Sequence, residues 1–118
     1  MKQDQSFHDY VMFDLFQNIA GLNSRAMFGG WGIYKNGVIF AIIVDGELYF
    51  KVNDQNLQQF KKLGSHPFVY FQAKHKSVTM SYWLLPQQIM EDLELLAEWV
   101  EQSVQVSVQS KKKIKKKY

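Results

Sequence analysis

Apolar residues recur at four-residue spacing near the start of the chain. Phe7, Val11, Leu15 and Ile19 form a stripe that Tyr10, Met12, Phe13 and Phe16 widen. This periodicity predicts a helix over 6–20. Ser6 is placed to cap it, Asp9 stands three residues on as a partial capping-box partner, and Gly21 can end it in a left-handed conformation. The pattern then switches toward period two. Residues 26–34 read as a first strand interrupted by glycines. Asn36-Gly37 suits a tight hairpin turn into 38–44, and Asp45-Gly46 a second turn into 47–52. In that third strand Leu48 and Phe50 alternate with Tyr49 and Lys51. The stretch VIFAIIV at 38–44 is apolar nearly throughout, which implies cover on both faces or burial in an interface.

A short helix is expected from Asn53 or Asp54 to Leu63, striped by Leu57, Phe60 and Leu63 and closed by Gly64. Strands over 68–72 and 77–84 follow, joined by the basic connection AKHK. Pro86 stands near the first turn of a final helix. Its apolar face is Ile89, Met90, Leu93, Leu96, Ala97, Val100 and Val104, and its acidic flank is Glu91, Asp92, Glu94, Glu98 and Glu101. The order is α-β-β-β-α-β-β-α. It predicts an α+β domain: a five-stranded antiparallel sheet with helices packed on one face. The domain is expected over 1–105. Residues 106–118 read as a lysine-rich flexible tail, begun by VQVSVQS as fraying helix or extended linker.

Composition narrows the class. The 118 residues fit one domain, and 47% hydrophobic with 15% aromatic content opposes global disorder. The chain has no cysteine, which removes disulfides, thiolate chemistry and sulfur-ligated metal. No apolar run approaches a membrane span, and Asp4 and Asp9 stand where a secretion signal would be basic and then apolar. A soluble cytoplasmic protein is expected. The formal charge of +3 is deceptive: Lys111, Lys112, Lys113, Lys115, Lys116 and Lys117 are six of the fourteen basic residues. Without them eight basic residues face eleven acidic ones, a net of −3. The chain reads as a mildly acidic body with a basic tail.

The segments RAMFGGWGIYKNGVIFAIIVDGELYFKV, GSHPFVYF and SVTMSYWLLP, in this order and separation, resemble the N-terminal domain of the TfoX/Sxy proteins. The resemblance runs from about Tyr10 to about Val104. It implies an α-β3-α-β2-α arrangement like that of secretion chaperones, and a link to the regulation of bacterial natural competence. The longer relatives carry a C-terminal domain with helix-hairpin-helix-like character. That second domain is expected to be absent here, with the lysine tail standing where a linker would begin. The family supplies no established catalytic residues to carry over.

The candidate chemistry is sparse. Gly29, Gly30 and Gly32 lie in MFGGWG. A dinucleotide fingerprint needs GxGxxG between a strand and a helix, and a phosphate loop needs a Lys-Ser or Lys-Thr step. Neither is present, so the glycines read as a bulge or close backbone approach beneath Phe28 and Trp31. A small-ligand pocket around Gly29 to Trp31 is the alternative. Phe28, Trp31, Tyr34, Tyr49, Phe50, Phe71, Tyr82 and Trp83 fall in strands, where they serve a core or dimer contact. With Lys35, Lys51, Lys74 and Lys76 they could instead stack single-stranded bases. His8, His66 and His75 lack metal-ligand spacing, so neither metal nor cofactor is expected. Ser65-His66 is adjacency without orientation, Ser81 has no glycine elbow, and Asp45 and Glu47 flank a turn. No enzyme is predicted. Arg25, the one arginine, suits a fork to a carboxylate or carbonyls, or a partner contact.

These readings combine into a non-enzymatic regulatory or protein-binding module, a possible homodimer. Its binding residues are expected among Arg25, Phe28, Gly29, Gly30, Trp31, Tyr34, Lys51 and Tyr82. The rival is weak, nonspecific nucleic-acid binding through the six tail lysines or the sheet face.

Overall fold

The computed structural model describes residues 5–27, 29–72 and 76–116. The chain opens with helix α1 (Gln5–Asp9), which widens into a π-helical turn over Tyr10–Leu15. The Phe16 amide donates to the Val11 carbonyl five residues back, at 3.0 Å. This extra residue per turn brings Val11, Leu15 and Phe16 together into the core. The helix expected as far as residue 20 therefore ends five residues early in regular form, and Ser6 lies inside it rather than at its cap.

Six strands follow, not five: β1 (Leu22–Met27), β2 (Gly30–Lys35), β3 (Val38–Val44), β4 (Glu47–Lys51), β5 (Pro67–Gln72) and β6 (Lys76–Leu84). All neighbours pair antiparallel in the order β1-β2-β3-β4-β6-β5. The miscounted strand is the glycine segment. Residues 26–34 are not one interrupted strand, because Met27 pairs with Gly30 and the chain reverses between them. Gly29 takes φ +77° there. The other two hairpins match their sequence signals: Asn36 and Gly37 have φ of 51° and 83°, and Asp45 and Gly46 have 52° and 72°.

The bulge lies elsewhere. Ile33 pairs with Ala41 and Tyr34 with Ile39, so Phe40 is the extra residue of β3. Phe40 and Ala41 both enter the main core while Ile39 and Ile42 pack on the far face. VIFAIIV is continuously apolar because the bulge breaks its alternation and both faces of this interior strand are covered.

Helix α2 (Leu57–Lys62) is shorter than expected. The last helix is broken into α3 (Gln87–Met90), with Pro86 at its cap, and α4 (Leu93–Lys116). Asp92 restarts it by accepting the Leu95 amide at 3.2 Å. α4 does not end at residue 105. Val106 and Ser107 are buried, and the helical backbone runs through Lys116, where a flexible tail was expected. Lys117 lies outside the described residues. The helices cover one face of the sheet, over a core whose rings include Phe16, Phe40 and Phe50, with centroids 5.6–6.3 Å apart. Phe60 meets Trp99 at 4.6 Å.

The glycine pair has two separate jobs. A Cβ on Gly30 would lie 1.9 Å from the Ile43 carbonyl oxygen, whereas one on Gly29 would meet nothing within 4 Å. Gly30→Val should therefore lower stability by about 1–3 kcal/mol through overpacking against backbone. Gly29→Ala should cost about 1–2 kcal/mol through its left-handed φ alone. Denaturant midpoints measure both, and an unchanged midpoint for Gly30→Val would contradict the close approach.

Candidate binding face

The sheet face turned away from the helices collects four of the eight binding residues expected from the sequence. Ile42, Tyr49 and Tyr82 form a second buried cluster there, and Ile39, Val44, Phe68 and Leu84 pack against it half-buried. Alternation explains the set. Tyr49 and Lys51 point away from the core that holds Leu48 and Phe50, just as Tyr34 points away from the core that holds Ile33. Register brings them together across strands, with Lys51 opposite Tyr82 and Tyr49 opposite Leu84.

Two cations rest on tyrosine rings of this face. The Arg25 guanidinium stands 5.6 Å from the Tyr34 ring centre, and the Lys51 Nζ stands 4.9 Å from that of Tyr82. Lys51 Nζ also donates to Ser81 Oγ at 2.7 Å. Burial lowers the Lys51 pKa from its usual value. The Tyr82 phenol is pushed up to about 12, first by burial and then by Tyr34. Burial also raises the Tyr49 phenol, and its hydroxyl donates to Glu47 at 2.8 Å. Both phenols therefore stay neutral and act as hydrogen-bonding or stacking surface rather than as bases.

Four of the expected binding residues, Arg25, Tyr34, Lys51 and Tyr82, thus share one face. Gly29 and Gly30 sit at its rim in the β1–β2 turn. Trp31 does not join them: it is buried on the helix side, stacked on His8 at 4.6 Å. Phe28 lies outside the described residues, as do Lys74 and His75. Lys35 is paired with Glu101 of α4 at 3.1 Å. Tyr49 and Tyr82 are only 7% and 8% exposed. They are too covered to offer ring faces to bases, so the stacking platform reduces to Tyr34 and its rim.

One polar constellation escaped the sequence reading. His8 Nδ1 lies 2.9 Å from Asp9 Oδ1 and its Nε2 lies 2.7 Å from Ser24 Oγ. Asp9 can only accept, so it fixes the ring proton on Nδ1, and the Ser24 hydroxyl then donates to Nε2. The order of groups is that of a carboxylate–imidazole–hydroxyl relay. Its setting is that of a tie: the ring is 8% exposed, stacked on Trp31 and edged by Phe13. It fastens the first helix to edge strand β1, sixteen residues on, a separation that no local periodicity reports. Ser65 and His66 form no dyad, since the Ser65 hydroxyl donates to the Leu84 carbonyl at 2.6 Å. Among the described residues no three His, Asp or Glu side chains cluster to hold a metal, and no helix is long and apolar enough to cross a membrane.

Residues 14–107 match the TfoX N-terminal domain. The chain belongs to the TfoX N-terminal domain family. It is related to the TfoX and Sxy proteins. It is similar to the DNA transformation protein TfoX1 of Aliivibrio fischeri (strain ATCC 700601 / ES114), 28% identical over 71 residues, which are 60% of this chain and 34% of that one. It is also similar to Protein Sxy of Escherichia coli (strain K12), 24% identical over 104 residues, 86% of this chain and 48% of that one. The chain thus spans about half or less of the length of these relatives. The matched TfoX segment contains the whole sheet and extends to Ser107 in α4, which agrees with a core that includes Val106.

The histidine tie gives a pH test. Hydrogen bonds from His8 and then from Gln5 hold the Asp9 carboxyl below its ordinary value of 3.8. A depressed folded pKa means that the contribution is present above 3.8 and is lost as pH falls through the lower folded value. Asp9→Asn should therefore be less stable than the parent at neutral pH, and the gap should close below that value. His8→Ala should cost about 1–3 kcal/mol at neutral pH, because it removes a buried ring that packs on Trp31 and accepts from Ser24. Urea melts across pH measure both, and a gap for Asp9→Asn that stays constant into acid would contradict the assignment.

Proposed function

We propose that this TfoX N-terminal domain is a protein-binding module in the control of DNA-transformation (competence) genes, working without chemistry of its own. The match over residues 14–107 carries this reading. The face of Arg25, Tyr34, Lys51 and Tyr82 supports a working surface on the sheet. It joins an apolar floor of Ile39, Ile42 and Leu84 to two cations held in place over rings, which suits a protein partner with apolar and acidic side chains. A chimera tests it, with this chain replacing the corresponding part of Protein Sxy in a strain that lacks Sxy. The chimera should restore transcription of competence genes. Tyr34→Ala with Lys51→Ala should reduce that output about tenfold or more at equal protein level. A stable chimera with no output would overturn the function, and full output from the double variant would overturn the surface.

The second reading is nucleic-acid binding, favoured by six lysines within residues 111–117. Such binding would be nonspecific, because phosphate contacts carry no sequence information. Its log–log salt slope on random duplex should not exceed about 5 in magnitude, and removal of residues 111–118 should abolish it. Anisotropy titrations of both chains decide this. Equal binding by the shortened chain would move the contact to the folded body and to Lys35, Lys51 and Lys76.

A further inference from the structure

Helix α4 carries a charge gradient of which the domain uses Glu101, paired with Lys35. Glu94, Glu98, Glu101, Gln105, Gln109, Lys112 and Lys116 recur at intervals of three or four along it. At 3.6 residues per turn these positions fall within an arc of roughly 80°. From Glu94 to Gln109 they are exposed, whereas Leu96, Val100, Ser103 and Ser107 on the other side are buried. The stripe is acidic at its start, neutral in its middle and basic at its end. Reversed, it is its own complement. About a centre at Gln105, Glu94 falls opposite Lys116, Glu98 opposite Lys112, and Glu101 opposite Gln109.

A groove of about 510 Å³ runs beside the same stripe, between α2 and α4. Gln55, Gln59, Glu98, Gln102, Gln105 and Val106 line it, so amide and carboxylate tips border a wall made largely of aliphatic stems. Glu101 at its edge is held ionised, its pKa lowered by the Gln105 amide and then by Lys35. Such a groove accepts a polar, cationic helix and repels a phosphate backbone.

We propose that this groove and stripe dock a second copy of the chain, its α4 antiparallel to the first, with the two-fold axis passing Gln105. A two-fold contact needs a self-complementary surface, and the order Glu-Glu-Glu-Gln-Gln-Lys-Lys provides one only in the antiparallel sense. A parallel arrangement would set glutamate on glutamate and lysine on lysine. The contact is independent of the sheet face, because it involves none of Arg25, Tyr34, Lys51 and Tyr82.

The test is a charge swap read by sedimentation equilibrium on the full chain. At about 50 mM salt the parent should be a dimer that dissociates toward about 0.5 M. Each pair occurs twice across a two-fold, so E98K alone and K112E alone should each weaken association about tenfold. The double variant E98K/K112E restores the pairing and should return to within about threefold of the parent. An equimolar mixture of E98K and K112E should form a heterodimer, because each supplies the charge the other lacks. A parent that is monomeric at low salt overturns the proposal. So does a dimer indifferent to the single reversals, or a double variant no tighter than either single one. A gradient that serves only the dipole of its own helix, with acids at the N-terminus and bases at the C-terminus, predicts reversals that change the melting temperature and leave the mass unchanged, an outcome that also overturns the proposal.

Discussion

The Lys51 carbonyl is the point on which the two layers depend. It accepts from the Asn56 amide at 3.1 Å and from the Ser103 hydroxyl at 2.9 Å, and Asn56 in turn accepts the Asn53 amide at 2.9 Å. One backbone oxygen at the end of β4 thereby fixes the turn into α2 and the middle of α4. Ser103 is wholly buried and Asn56 nearly so, so water cannot replace either bond. The side chain of the same residue lies on the other face of the sheet, over Tyr82. Helix placement and the outer surface are therefore referenced to a single residue of one interior strand.

That arrangement explains why the two faces can differ so much in character. Ser103 and Ser107 let α4 approach closely, with Leu96, Trp99 and Val100 interleaved beside them. The aromatic core beneath does the bulk of the hydrophobic work, since rings of this size bury large areas and gain from tilted contacts. The outer face has no helix and instead covers itself with side chains. The Tyr49 and Phe68 rings meet at 5.1 Å across the intervening β6, and the two cations cap what remains. A self-covering sheet presents polar tips and apolar floor together.

Much of this was legible in the sequence where the signal was local. Asn36-Gly37 and Asp45-Gly46 specify their turns because few other residue pairs accept positive φ twice. The alternation of Leu48 and Phe50 with Tyr49 and Lys51 separates the two faces and places Lys51 on the outer one. The errors arose where the decisive contact was distant. The close backbone approach read from the glycines is present at Gly30, against the Ile43 carbonyl, but nothing local reports the chain reversal beside it, so a turn between two strands read as an irregularity within one. Trp31 is among the expected binding residues, although strand alternation and the His8 ring send it inward. The Ser24–His8 bond spans sixteen residues and follows no period. The persistence of α4 past residue 105 depends on burial of Val106 and Ser107, which a run of alternating valines and polar residues does not reveal.

The strand order has a dynamic consequence. β1 to β4 form a continuous meander in which each strand is chained to the next by a tight turn. The β5–β6 hairpin joins that meander through three paired positions, Tyr49 with Leu84, Phe50 with Trp83 and Lys51 with Tyr82, flanked by the Val52 and Leu85 amides donating to the Ser81 and Leu48 carbonyls. Between them lies the whole excursion through α2. The sheet is therefore two cooperative units meeting along a short seam, and partial opening there separates the hairpin as a block while the meander stays closed. Amide protons of β5 and β6 will then exchange through a lower-energy opening than those of β2 and β3. Half of the outer face, Phe68, Tyr82 and Leu84, belongs to the unit that opens, so whatever grips both halves of that face will also lock the two units together.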